Sequence, residues 1–276
     1  MIEMKSRLWR GVGQAALVAG LLACGPVGQG KDQPTAATAG EAGEAGESGA
    51  AAPPPASPPP PPAAAAAGGE SGEAGAAQVY DRLSPAARTQ LRLQHLKGFL
   101  LVARKELDAG RGPEAGALIG QGVLEVYQPA AADFGDLDIA KIKAASDALM
   151  DGKPGAGAAL DAALAAISAK QGPADAALLR QMLGVCAGLS AGLVVDGTVD
   201  TVEYQHSYGA ALSVKDAFSR AEESLKRQNP ARTKEAAAEI DRLLTLWPAV
   251  QAPEKIAPPA QFRGQISRVE LALYGL

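Results

Sequence analysis

The sequence predicts an all-α domain, arranged as an antiparallel up-and-down bundle of about seven to eight helices and preceded by a disordered tether. Apolar residues recur every three or four positions through roughly the last 200 residues. Proline, asparagine, aspartate and glycine stand where helices would begin and end. No stretch of four or more residues alternates apolar and polar side chains between turn residues, as hairpin strands would.

The first residues have the layout of an export signal that is removed. Basic residues at Lys5, Arg7 and Arg10 precede an uncharged stretch, residues 11–23, that stops at a cysteine. This apolar stretch is well short of the roughly 20 residues that cross a bilayer. We therefore predict a signal peptide over residues 1–23. Plain secretion with a chance cysteine and an uncleaved anchor are the alternatives.

The end of this signal, Leu21-Leu22-Ala23-Cys24, resembles the lipobox of bacterial lipoproteins. The resemblance implies that diacylglycerol is attached to the Cys24 thiol and that cleavage falls between Ala23 and Cys24. Two or three acyl chains on one cysteine give stable attachment to a membrane. Gly25, rather than aspartate, follows the cysteine. By resemblance to sorted lipoproteins, this implies the outer membrane of the cell envelope, facing the periplasm or the surface.

Residues 24–77 form the predicted tether, which is rich in glycine, alanine, proline and glutamate. Eight prolines lie between Pro53 and Pro62, and no aromatic residue occurs. Such a segment cannot bury enough apolar surface to offset its ordering entropy. About 50 such residues reach roughly 40 Å as a coil and about 160 Å if fully extended. A spacer is the main interpretation, and a proline ligand for a partner domain is the alternative.

The tether carries most of the net charge, because six acidic residues there face only Lys31 and the whole chain has a formal charge of −4. The predicted helical domain, residues 78–276, is therefore close to neutral. A near-neutral domain argues against nucleic acid as a partner.

The predicted helices follow in order. The first begins at Ser84-Pro85, an N-cap followed by a proline at the first helical position, and ends at Gly110. The second begins at Pro113 and ends near residues 127–129. The other six are a helix capped by Asp136 and reaching Asp151, then residues 154–170, a helix from Pro173 to about Leu193, residues 200–229, a helix ending at Trp247 before Pro248, and Phe262 to Leu273. Short connections favour antiparallel neighbours over the rival architecture, a stack of helical repeats.

One predicted helix has three glycines at intervals of four: Gly184, Gly188 and Gly192. On a helix these glycines form a flat strip that another backbone can approach closely. A central helix of the bundle is the main interpretation; a dimer seam or insertion into a membrane is the alternative. Cys186 lies on the apolar face of the same helix and is predicted to be a buried core residue.

Glu203 and His206 form a Glu-x-x-His pair, which places both side chains on one face of a helix. Two-metal carboxylate sites in helical bundles use two such pairs, and here Arg92 stands three residues before His95. Two interpretations remain open: an ordinary polar pair, or a transition-metal site built from Glu203, His206, His95 and Glu125. No other cofactor is predicted.

Residues 95–119 and 203–225 are similar to segments of helical periplasmic proteins near the imelysin-like group. That group consists of exported helical bundles associated with metal uptake. The resemblance implies a helical fold and a metal-related role. The imelysin His-x-x-Glu motif is absent, because Gly98 stands three residues after His95. Gln121 stands where related sequences carry a histidine ahead of Glu-x-Tyr.

Motifs for hydrolysis, phosphate binding and haem attachment are absent from the sequence. We therefore predict that the protein is not an enzyme. The expected function is a membrane-anchored envelope lipoprotein with an interaction or scaffold domain for an unknown envelope protein. The alternative is a metal- or small-ligand-binding accessory protein of the periplasm.

Overall fold

The computed structural model describes residues 71–276, with side chains from residue 75 onward. The predicted signal peptide, Cys24 and the predicted tether as far as residue 70 lie outside the described residues. Within 71–276 the protein is predominantly helical with very little strand, which confirms the predicted all-α class. The helices are α1 Ser71–Tyr80, α2 Pro85–Asp108, α3 Gly112–Gly122, α4 Ile139–Met150, α5 Ala156–Ser168, α6 Ala176–Ser190, α7 Thr201–Gln228, α8 Pro230–Leu244 and α9 Pro259–Leu273.

Side-chain caps begin several of these helices, as the sequence indicates. The Ser84 hydroxyl accepts a hydrogen bond from the backbone N–H of Ala87, and Asn229 caps α8 in the same way. Asp200 accepts from two backbone N–H groups at the start of α7. Each cap satisfies donors that the first turn leaves without an intrahelical partner.

The predicted cap of the third helix was wrong. Asp138, not Asp136, accepts from the backbone N–H of Lys141 and begins α4. The Asp136 carboxylate instead contacts Lys170 Nζ at 2.7 Å, and this ammonium lowers the pKa of Asp136. Two aspartates, Asp136 and Asp138, stand two residues apart in the sequence. Asp136 forms the long-range ion pair with Lys170, and Asp138 caps the helix.

Helix α1 extends the helical domain seven residues into the predicted tether. Its sequence, SGEAGAAQVY, is only ten residues long and contains two glycines, each of which costs about 1 kcal/mol relative to alanine inside a helix. Nevertheless Ala76 and Tyr80 are buried, because α1 packs on α6. Tertiary packing therefore outweighs local propensity here, as it often does for short helices.

The second predicted helix is interrupted before its predicted end. After α3 the chain makes a π-helical segment, Val123–Tyr127, and then a 3-10 segment, Gln128–Phe134. A short hairpin, absent from the predictions, pairs β1 (Val194–Val195) with β2 (Thr198–Val199). Its turn is Asp196-Gly197, with φ of 50° and 78°, which is the usual sequence of a tight hairpin turn.

The core is built from neighbours in sequence, as an up-and-down arrangement requires. Helices α2 to α5 pack one on the next, and so do α6 to α9. The two sets meet chiefly where α2 crosses α7. At this crossing a Cβ on Gly98 would lie 2.7 Å from the carbonyl oxygen of Gly209. Backbone therefore touches backbone at the centre of the domain.

Candidate functional site

The four residues predicted as metal ligands come from three elements, and all lie near the α2–α7 crossing or its flank. His95 is on α2, Glu125 is on the π-helical segment, and Glu203 and His206 are on α7. His95, Glu203 and His206 are each buried, at 3% exposure. The structure therefore removes three ionisable side chains from water, which is costly unless each has partners inside the protein.

Phe99 contacts both histidines. Its ring centroid lies 5.6 Å from that of His95 and 4.6 Å from that of His206. The Nδ1 atom of His206 lies 3.6 Å from Glu125 Oε2. The structure thus brings His206 and Glu125 together and places both histidine rings against Phe99.

Tyr80, at the end of α1, was not predicted to belong to this site. Its hydroxyl lies 2.6 Å from His95 Nδ1, which is a short hydrogen bond in a buried setting. The Arg92 guanidinium lies over the Tyr80 ring at 4.3 Å and donates from Nε to Asp133. We call Tyr80, His95, Phe99, His206 and Glu125 the histidine cluster.

The π-helical segment positions Glu125 in the histidine cluster. A π turn adds one residue to the helical repeat and so rotates the following side chains relative to an α-helix. Gln121, one turn earlier, donates from Nε2 to Glu125 Oε1 at 2.9 Å. Such segments are frequent at functional sites. Gln121 thus holds one carboxylate oxygen while the other faces His206.

All five ionisable residues at this site have interactions within the protein: Tyr80, His95, Glu125, Glu203 and His206. Among residues 71–276, no three His, Cys, Asp or Glu side chains are arranged as a group that could hold a metal ion. An ion entering the cluster would therefore have to exchange existing contacts for its own.

The glycine strip on α6 has α1 as its partner. A Cβ on Gly188 would lie 2.6 Å from the backbone nitrogen of Ala76, and one on Gly184 would lie 3.4 Å from Val79. This confirms the predicted close backbone approach at Gly188; Gly184 makes only an ordinary contact with the Val79 side chain, and Gly192 lies in the turn after α6. Cys186 is fully buried as predicted, and burial raises the pKa of its thiol to about 12.

None of the helices within residues 71–276 combines the length and apolar character needed to cross a membrane.

No protein-family model, curated protein or solved structure matches this chain. Comparison with known proteins therefore adds no assignment.

Proposed function

We propose that the protein is an envelope lipoprotein, anchored through lipid on Cys24, whose helical domain acts by binding rather than by catalysis. The observation that carries the proposal is the Leu21-Leu22-Ala23-Cys24 sequence after a basic start and an uncharged stretch. The helical domain begins by Ser71. The intervening chain is long enough to hold that domain roughly 40 Å from a membrane. An envelope protein of unknown identity would be the partner.

Replacing Cys24 with serine tests the anchor. We expect a longer, unprocessed precursor without acyl label, because serine has no thiol to form the thioether. Metabolic labelling with a fatty acid and gel migration report both effects. Cys186→Ala is the matched control, since Cys186 is the only other cysteine and is buried, so labelling should persist. Normal maturation of the Cys24→Ser variant would contradict the proposal.

A second function, binding of a transition metal, would require the histidine cluster to rearrange, because no three of the described side chains are now grouped to hold an ion. Imidazole and carboxylate are common ligands of zinc, iron and copper. His206 and Glu125, 3.6 Å apart on different elements, would supply the first two ligands. His95 and Glu203 would be the candidates for the others, provided that their side chains turn toward the ion.

Metal analysis of the purified full chain, followed by thermal unfolding with added zinc, iron or copper, tests this second function. An ion at 100 times its Kd stabilises the folded state by about 2.7 kcal/mol. For a domain of this size, we expect the melting temperature to rise by about 5–10 °C. His206→Ala should abolish the rise, whereas Glu223→Gln, on an exposed carboxylate, should keep it. A metal-free protein whose melting temperature does not change with zinc, iron or copper would contradict metal binding. The interaction role would then be the remaining proposal.

A further inference from the structure

We propose that helix α1 is a detachable strap over the histidine cluster. When α1 is docked on α6, Tyr80 covers the His95 side of the cluster. When α1 undocks, that side opens while α2 to α9 remain folded. The strap does not depend on the metal proposal, because it concerns access to His95 and not what binds there.

Helix α1 docks on α6 through a close backbone contact. A Cβ on Gly75 would lie 2.9 Å from the Gly188 Cα, so the two backbones touch there. Among the described side chains of α1, residues 75–80, Ala76 and Tyr80 are buried, and Val79 packs partly buried on Gly184. Helix α1 packs chiefly on α6 alone, whereas α2 and α7 each pack on several helices. An element with one main neighbour opens at lower free energy than the core.

Undocking should also unfold α1. A ten-residue helix with two glycines is unstable in water by itself, so α1 keeps its helix only while α6 supports it. Docking and folding of α1 are therefore one event. This makes the strap a two-state element rather than a loosely attached one.

The link to the histidine cluster runs through Tyr80, the last residue of α1. Tyr80 is the last residue of α1, so the unfolding of α1 that accompanies undocking frees its side chain to leave His95. Its departure removes the 2.6 Å hydrogen bond to His95 Nδ1 and the ring beneath Arg92. His95 then faces solvent from the side that Tyr80 had covered.

The chain on the amino side of α1 gives a partner a way to change the docking of α1. The contacts of Gly75 with Gly188 and of Val79 with Gly184 show that α1 runs antiparallel to α6. Ser71 therefore lies at the carboxyl end of α6, and the chain toward Cys24 continues from that point. A partner that binds or pulls this chain would act directly on α1 docking.

Hydrogen exchange of the full chain in detergent tests the strap without any substitution. We expect the amides of α1 to exchange at least about tenfold faster than those buried in α2 and α7, because α1 opens by itself. Equal protection of α1, α2 and α7 without denaturant would overturn the proposal, because α1 would then open only when the whole domain unfolds.

A pair of variants tests the link to His95. Gly188→Leu should displace α1 and make modification of His95 by diethyl pyrocarbonate about tenfold faster, with the α2–α9 melting transition retained. Gly184→Ala is the control, since its Cβ would make only an ordinary contact with Val79. An unchanged rate at His95 in folded Gly188→Leu would overturn the proposal; if that variant does not fold, the exchange experiment decides.

Discussion

Gly98→Ala is expected to lower the free energy of unfolding by about 3 kcal/mol, at the upper end of the usual cost of overpacking a core. A Cβ on Gly98 would lie 2.7 Å and 2.8 Å from the Gly209 carbonyl oxygen and carbon. Both contacts are with backbone, so no side chain can move away, and α2 and α7 must separate. The melting temperature of a domain of this size should fall by about 10 °C.

Gly264→Ala is the control for this variant. Gly264 is also within a helix, α9, but beyond the adjacent backbone of that helix no atom lies within 4 Å of the position its Cβ would occupy. Alanine there should change stability by less than about 1 kcal/mol, in the stabilising direction, because it favours the helix. Thermal and urea unfolding followed by circular dichroism would measure both variants. Equal stability of the two would contradict the close crossing of α2 and α7.

Glu106→Ala is expected to cost about 3 kcal/mol, because it removes the centre of a buried polar network. Glu106 is 0% exposed, and its carboxylate accepts hydrogen bonds from Gln205, Gln251 and Arg111. Gln205 lies on α7, Gln251 lies in the loop before α9, and Arg111 lies just after α2. Removal of this common acceptor deprives the buried Gln205 amide and the partly exposed Gln251 and Arg111 of their hydrogen bonds, and the loss at Gln205 is the costly part of the change.

Glu223→Ala serves as the control, since Glu223 is an exposed glutamate whose ion pair with Lys226 lies on the surface. It should change the free energy of unfolding by less than about 0.5–1 kcal/mol. Urea unfolding of both variants measures the difference. A Glu106→Ala protein as stable as the Glu223→Ala protein would show that the network contributes little to the fold.

Local signals predicted the parts of the fold that depend on local chemistry. Ser84-Pro85 and Asp200 begin helices where the sequence indicates, because their side chains cap the turn that follows them. Helix α1 could not be predicted in this way. Its helix depends on Gly188, more than a hundred residues away, and its own sequence is typical of the tether before it.

For the candidate site too, local spacing could be predicted from the sequence and long-range contacts could not. The Glu203–His206 spacing predicted two side chains on one helical face, which is a local property of α7. The approach of Glu125 to His206 depends on a π-helical segment that apolar periodicity does not reveal. Tyr80 reaches His95 only because α1 docks on α6, so no local pattern marks it as part of the site.

The most direct test of the lipid anchor is the mass of the amino-terminal peptide of the mature protein, purified from membranes. If Cys24 is the lipid anchor, this peptide begins at Cys24 and carries diacylglycerol, with or without a third acyl chain on its amino group. A peptide that begins at Met1, or an unmodified peptide that begins at another residue, would show that Cys24 is not the anchor.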